Sequence, residues 1–426
     1  MGRGRKQKGG FTARSTLTAV GMLLACCPCV FALDPALDVS QYAHTAWKIR
    51  EGFSKGMIFS IAQTPDGYLW LGTEFGLLRF DGVRAVPWQP PAGQQLPSND
   101  IIKLIAARDG TLWIGTFEGL ASWKDGRLTQ YPELAGRDIE ALLEDRAGTV
   151  WAGGFSFTPP GRLCAIQRGS AKCYGDDGAL GNGVLGTYED SKGNLWLGVR
   201  TGLWRWKPGP PKFYPLAGEP YGIQGLGEGD DGALLIGMRG RVARFAGGKS
   251  EGSYPYPGPA RQSLALELLR DRDGGLWVGT LGRGLVHVHQ GRTDAFAQSD
   301  SLSGDTVTAL FQDREGNIWV ATTNGLDRFR DFGAATFSVN QGLSNFPGGS
   351  VLAAKDGSVW LDATGGLSRW DNGQITTYHE RTSQVAAKKP GAVGRVQEIS
   401  VSGFPKQGLL SLFQDDRGRI WVAANS

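Results

Sequence analysis

Along most of this chain, short stretches alternating apolar and polar residues are followed by an Asp/Gly turn and then by a denser apolar run centred on tryptophan. "TVTALF" (306–311) alternates, "DREG" turns, and "NIWVAT" returns beside it. A two-residue period predicts strands, and the turn predicts an antiparallel hairpin. The phrase recurs as DGYLWLGTEFGLLRF (66–80), DGTLWIGTFEGLASW (109–123), KGNLWLGVRTGLWRW (192–206) and EGNIWVATTNGLDRF (315–329). Its tryptophans are Trp70, Trp113, Trp151, Trp196, Trp277, Trp319, Trp360 and Trp421, with Leu235 in the same place once, at spacings of 43, 38, 45, 39, 42, 42, 41 and 61 residues. Units near 42 residues suit one four-stranded antiparallel sheet each.

No such unit can bury both faces alone, so tryptophan is expected as a wedge between neighbouring sheets. The glycine two residues after it (Gly72, Gly115, Gly198, Gly237, Gly279) would let the neighbour approach. This pattern predicts an all-β fold, a β-propeller of four-stranded antiparallel blades, in preference to a linear solenoid with shorter coils. Units begin near Met57, Ile101, Ile139, Val184, Ile223, Leu264, Val307, Val351 and Leu409. "HTAWKIREG" (44–52) reads as an orphan outer strand able to complete the last blade, although "ATFSV" (335–339) fits the same slot. The expected organisation is a seven-bladed ring over residues 40–335, then the start of a second ring over 336–426 with an exposed Gly/Pro-rich insertion at 381–408. A single eight-bladed ring is the alternative. The last unit holds two strands, which suggests a fragment of a longer protein.

The first 32 residues carry Arg3, Arg5, Lys6, Lys8 and Arg14, then an apolar stretch from Leu17 to Ala32 ending in Val30-Phe31-Ala32. This is the pattern of an export signal, and it predicts a periplasmic location. An uncleaved anchor and lipidation at Cys26 are the alternatives. The formal charge of +4 becomes −1 without the five leader cations. No basic patch speaks for nucleic acid. Glycine, at 65 of 426 residues, serves turns and close approaches. Outside the leader only Cys164 and Cys173 remain. A two-residue turn at Arg168-Gly169 would set them directly opposite each other, as a disulfide or as two packed thiols.

The phrase D-x-x-G-x-[LI]-W-[LIV]-G-T-x-x-G-L-x-R-[FW] resembles the two-component regulator propeller repeat, and "WKIREGFSKGMIFSIAQTPDGYLWLGTEFGLLRFDG" (47–82) resembles the start of such receptors. The resemblance covers about residues 40–426. It implies a periplasmic sensor region of a histidine kinase or hybrid receptor, non-catalytic in itself, with output domains outside this chain. Attachment to the membrane would come through a missing C-terminal part or an uncleaved leader, and a homodimer is compatible with it.

Ligand contacts are expected on the face bearing the connections from second to third strand. There lie Phe75, Phe117, Arg200, Arg239 and Arg283, with Glu74 and Glu118 beside the aromatics. Three neighbouring guanidinium groups would suit an anionic small molecule or oligosaccharide through forked hydrogen bonds; solvated surface arginines are the simpler reading. Glu74 and Glu118 are the carboxylates that a rival lyase or hydrolase would need, and a protein-binding scaffold is a third class. No cofactor motif is present. His287 and His289 share a strand face, but with no third ligand in view they read as two partly exposed strand histidines, so no metal site is assigned. "DRDGG" (271–275) and "DDG" (230–232) occupy hairpin slots and read as turns. His379-Glu380 echoes a phosphoacceptor motif, yet it follows an outer-strand pattern without the motif's proline.

Overall fold

The computed structural model describes residues 33, 37–216, 222–331, 349–363, 366–371, 374–380, 396–401 and 409–424. The leader therefore lies outside the described residues. Among those described, no helix is long and apolar enough to cross a membrane.

Seven four-stranded antiparallel sheets follow one another and form a β-propeller. Sheets 1 to 6 each use four consecutive strands, beginning at Ile58, Ile101, Asp138, Val184, Leu226 and Ala265. Sheet 7 combines Val307–Gln312, Ile318–Thr322 and Gly325–Arg330 with Ala43–Lys48 as its outer strand. The slot offered to Ala335–Val339 is thus filled from the N-terminus, and residues 335–339 lie outside the described set. The register of this closing pair sets Trp47 against Leu326 and His44 against Phe329.

The chemistry of the repeat explains the packing. Hairpin glycines such as Gly67 and Gly316 take φ of +92° and +90°, where a Cβ would be strained. A Cβ on Gly72 would lie 2.7 Å from Ile101, and one on Gly115 would lie 2.8 Å from Ile139, each near the start of the following sheet's inner strand. Glycine is what lets consecutive sheets meet. Trp70, Trp113, Trp151, Trp196, Trp277 and Trp319 are all buried, as is Leu235 in the unit lacking the indole.

Two polar devices recur. The residue six before the tryptophan is often aspartate, and its carboxylate accepts from the indole: Asp145 from Trp151, Asp190 from Trp196, Asp271 from Trp277 and Asp313 from Trp319, at 2.6–2.8 Å. Thr64 substitutes in sheet 1. In sheet 2 the position is Ala107, and the Trp113 indole N–H is left without a partner. The arginine after that aspartate, or after Ala107, reaches into the next sheet's hairpin. Arg108, Arg146 and Arg272 each donate to carbonyls one sheet on. Arg314 of sheet 7 does the same to Thr64 and Pro65 of sheet 1, at 2.7 and 3.0 Å, and so ties the ring shut. Ile58 and Ile61 of sheet 1 share an apolar cluster with Ala309 and Trp319 of sheet 7 across the same seam.

Two further sheets follow, one built on Val351–Ala353, Val359–Ala363, Gly366–Asp371 and Gln374–Glu380, the other the pair Leu409–Gln414 and Ile420–Ala424. The expected insertion is partly strand. Val396–Val401, with three β-branched residues among its six, adds in parallel to Gln374–Glu380. Residues 381–395 and 402–408 lie outside the described set.

Candidate functional site

The inner strands of all seven sheets line a central channel with a cavity of about 430 Å³. Its collar has a simple origin. In six of the seven sheets the inner strand shifts register by one residue against the second strand, at Phe59, Ile102, Glu140, Leu185, Leu266 and Thr308. Each extra residue lines the channel, joined by Gln224 of sheet 5. Four of these seven are large apolar side chains, so Glu140 is an isolated acid in a mostly apolar collar.

Its charged neighbours come from other sheets. Lys103 of sheet 2 crosses to Glu267 of sheet 6, Nζ to Oε1 at 2.8 Å. Burial acts to lower the Lys103 pKa, but the charge and hydrogen bond of Glu267, with Glu140 behind, outweigh it and the net shift is upward. Glu140 is raised by burial, with Lys103 opposing. Asp138 is pushed up to about 8 by burial first, then by Glu140 and Asp100. Asp100 is raised by burial and then by Glu74. Glu74, Asp100, Asp138 and Glu140 therefore form a trail of carboxylates from a loop of sheet 1 into the channel. Among the described residues Lys103 answers it, through Glu140. Sequence reasoning singled out Glu74 alone of this trail, because only closure of the ring brings residues from different repeats together.

The connections from second to third strand carry the other candidates. Phe75 and Phe117 are exposed at 63% and 44%, and Phe157 at 76%. Arg200, Arg239 and Arg283 are exposed on the corresponding loops of sheets 4, 5 and 6. None of Phe75, Phe117, Arg200, Arg239 and Arg283 lines the channel. They lie on the loops between second and third strands, aromatic on sheets 1 and 2 and basic on sheets 4 to 6. Glu74 is turned inward and accepts from the Met57 amide at 3.1 Å, whereas Glu118 is exposed, so the two share no site.

Cys164 and Cys173 face each other across the third and outer strands of sheet 3 and are joined by a disulfide. Arg168 and Gly169, at φ of +49° and +79°, make the turn. A larger, open hollow of about 820 Å³ lies over this hairpin, but its walls all belong to sheet 3 and bring no second element to a ligand.

His287 and His289 require correction. They are buried, at 1% and 3% exposure, not partly exposed. A third group is present too: Asp294 sits directly opposite His287, and its Oδ2 lies 2.5 Å from His289 Nε2. The hairpin counting that aligns Cys164 with Cys173 finds this pair as well, with Gln290-Gly291 as the turn. His379 lies on the strand Gln374–Glu380, in no helix.

A family model described as two component regulator propeller matches residues 52–75, 95–118 and 301–324. No curated protein matches the chain. Among solved structures, the extracellular domain of a hybrid two-component system from B. thetaiotaomicron is 20% identical, with a TM-score of 0.63 over 90% of this chain and 52% of that one. A second such domain from the same organism is 18% identical, with a TM-score of 0.55 over 87% and 49%. Virginiamycin B lyase from Staphylococcus aureus is 14% identical, with a TM-score of 0.53 over 68% of this chain and all of the other. The chain spans about half the length of the two-component domains it resembles. With the repeat phrase, the ring of sheets and the family match in agreement, the chain is a β-propeller that carries two-component regulator propeller repeats at residues 52–75, 95–118 and 301–324.

Proposed function

We propose that this propeller is the extracytoplasmic ligand-recognising part of a two-component receptor, and that its ligand seats on the channel rim. The observation that carries the reading is the division of the exposed loops between second and third strands. Exposed Phe75, Phe117 and Phe157 offer flat apolar faces on one side, and Arg200, Arg239 and Arg283 offer guanidinium groups on the other. A sugar ring stacks on the former, while a carboxylate or sulfate takes forked hydrogen bonds from the latter. The acids Glu74 and Asp100 behind the aromatic side would repel an anionic end, which orients the ligand across the channel. The preferred class is an oligosaccharide with its anionic group towards sheets 4 to 6.

Residues 336–426 belong, on this reading, to a second ring. The Lys355 amide donates to Gln414 at 2.8 Å between the two trailing sheets, as Arg314 does to Gln63 between sheets 7 and 1. Signalling requires the ligand to bind one arrangement of rings or protomers better than another. An enzymatic reading is weaker, because His44, His287, His289 and His379 all lie on third or outer strands, away from the channel. Calorimetric titration with acidic and neutral oligosaccharides tests the proposal. Binding that prefers the acidic set and falls at least tenfold in Arg200→Ala/Arg239→Ala is expected. Affinity unchanged in that variant, or turnover of the sugar, would overturn it.

A further inference from the structure

We infer that His287, His289 and Asp294 form a buried site for a single zinc-like divalent transition-metal ion, at the outer edge of sheet 6 where the N-terminal segment covers it. The ligand-bearing atoms of the three side chains lie within 4.8 Å of one another, and all three residues are buried. Two imidazole nitrogens with a carboxylate oxygen are a donor set for zinc and its first-row neighbours, whereas calcium and magnesium favour oxygen alone.

The independent sign is His287 itself. Its Nδ1 and Nε2 both lack a hydrogen-bond partner at 1% exposure, and Asp294 Oδ1 lacks one too. Burying such groups unpaired is costly. Packing alone does not call for an imidazole there. The ring is sandwiched between Trp277, at 4.0 Å and 23°, and His289, at 4.3 Å and 11°, and phenylalanine would stack as well without two stranded nitrogens. Asp271, whose Oδ2 stands 4.0 Å from His287 Nε2, is already committed to the Trp277 indole.

The parallel rings cannot both aim at one ion as they stand. His287, tethered by no hydrogen bond, has to tilt out of the stack, and His289 Nε2 has to give up the proton it shares with Asp294 Oδ2 before nitrogen and carboxylate can both face the ion. The Asp38 carboxylate interacts with that of Asp294, so the N-terminal segment stands against the site. Asp38 caps the short turn Val39–Gln41, and Tyr42 and the strand that closes sheet 7 follow directly. Metal bound here would fix the His287 ring against which that segment packs, through Tyr42 at 6.3 Å from His287 and 6.2 Å from Trp277.

The test uses the full chain, purified without a histidine tag and stripped with chelator. Zinc should bind at one equivalent per chain and, at a hundredfold excess over Kd, raise the melting temperature by roughly 5 °C. Cobalt(II) should give the visible absorption of a tetrahedral nitrogen–oxygen site. Both signals should vanish in His287→Phe, which keeps the stack, and in Asp294→Asn, while magnesium and calcium leave the melting temperature unmoved. Absence of zinc binding by the parent chain would overturn the site, as would an unchanged stoichiometry and thermal shift in both folded variants. Should one variant fail to fold, the other decides the matter.

Discussion

Trp319 in sheet 7 and Trp421 in the last pair of strands occupy the same phrase, "NIWVAT" against "RIWVAA", and share their local geometry. Each indole donates to the aspartate six residues earlier, at 2.7 and 3.0 Å, and each ring lies under an arginine, at 5.4 and 5.2 Å. Yet Trp319 is 2% exposed and Trp421 55%. The difference is the neighbour. Trp319 packs on Trp47 and Phe80, at 5.6 and 5.8 Å, and shares a cluster with Ile58 and Leu71 of sheet 1. No sheet follows Leu409–Ala424 among the described residues. One repeat therefore encodes its own hairpin and indole acceptor, while the burial that gives stability arises only between repeats.

The contrast breaks most sharply at the seam. Removing Ala43–Lys48 strips Trp47 from the Trp319 cluster and bares the edge of Gly325–Arg330. Urea unfolding should show a loss above about 5 kcal/mol or no cooperative transition at all. Removing residues 349–426 should leave the ring's unfolding free energy within about 1 kcal/mol. If the two deletions proved equally damaging, the ring would not be the unit of stability. At the level of single residues, Trp319→Ala should cost about 3–5 kcal/mol, as large buried aromatics do. Trp421→Ala should cost less than about 1 kcal/mol. Both are measured by the same urea transitions.

How far the sequence discloses this follows the same division. Whatever lies within one unit could be read directly: the tryptophan wedge, the glycine at close approach, the hairpin turn, and Cys164 opposite Cys173. Apart from the closing strand, offered by 44–52, which side chains of distant units meet could not. Lys103 meets Glu267 only because sheets 2 and 6 face each other across the channel, and 164 residues separate them. The arginine ties had a visible signal, since Arg108, Arg146, Arg272 and Arg314 recur at one place in the turn, but their target lies one repeat away. Asp294 was legible and passed over. It lies within one hairpin of His287, where a search for a third ligand along the same strand does not reach.

The indole acceptors sharpen the comparison on a smaller scale. Asp313→Ala strands the buried Trp319 N–H and should cost about 1–3 kcal/mol. Asp415→Ala leaves an indole that water can reach, and should move the melting temperature by no more than a degree. The converse change, Ala107→Asp, gives the unpaired Trp113 N–H an acceptor and should stabilise sheet 2 by about 1 kcal/mol. A destabilised Ala107→Asp protein would mean that sheet 2 is packed too tightly for the carboxylate.

Carboxylates in the two regions also titrate in opposite directions. Asp415, in the trailing pair, is lowered by the hydrogen bond from Trp421 in spite of some desolvation. Asp138, at the channel, is raised to about 8 by burial, then by Glu140 and Asp100. A carboxyl whose folded pKa lies above its unfolded value of about 3.8 contributes stability in full below that value. It loses that contribution progressively as pH rises towards 8, because only the folded state must hold on to the proton. The ring should therefore lose stability between about pH 4 and 8 through this group, with the slope softened by solvent at the channel mouth. Asp138→Asn, whose amide cannot ionise, removes that slope. Thermal melts of parent and variant should coincide best near pH 5 and diverge in the variant's favour by a few degrees at pH 8. A gap that stayed constant with pH would show that Asp138 is ionised throughout, and that water fills the channel more fully than its apolar collar implies.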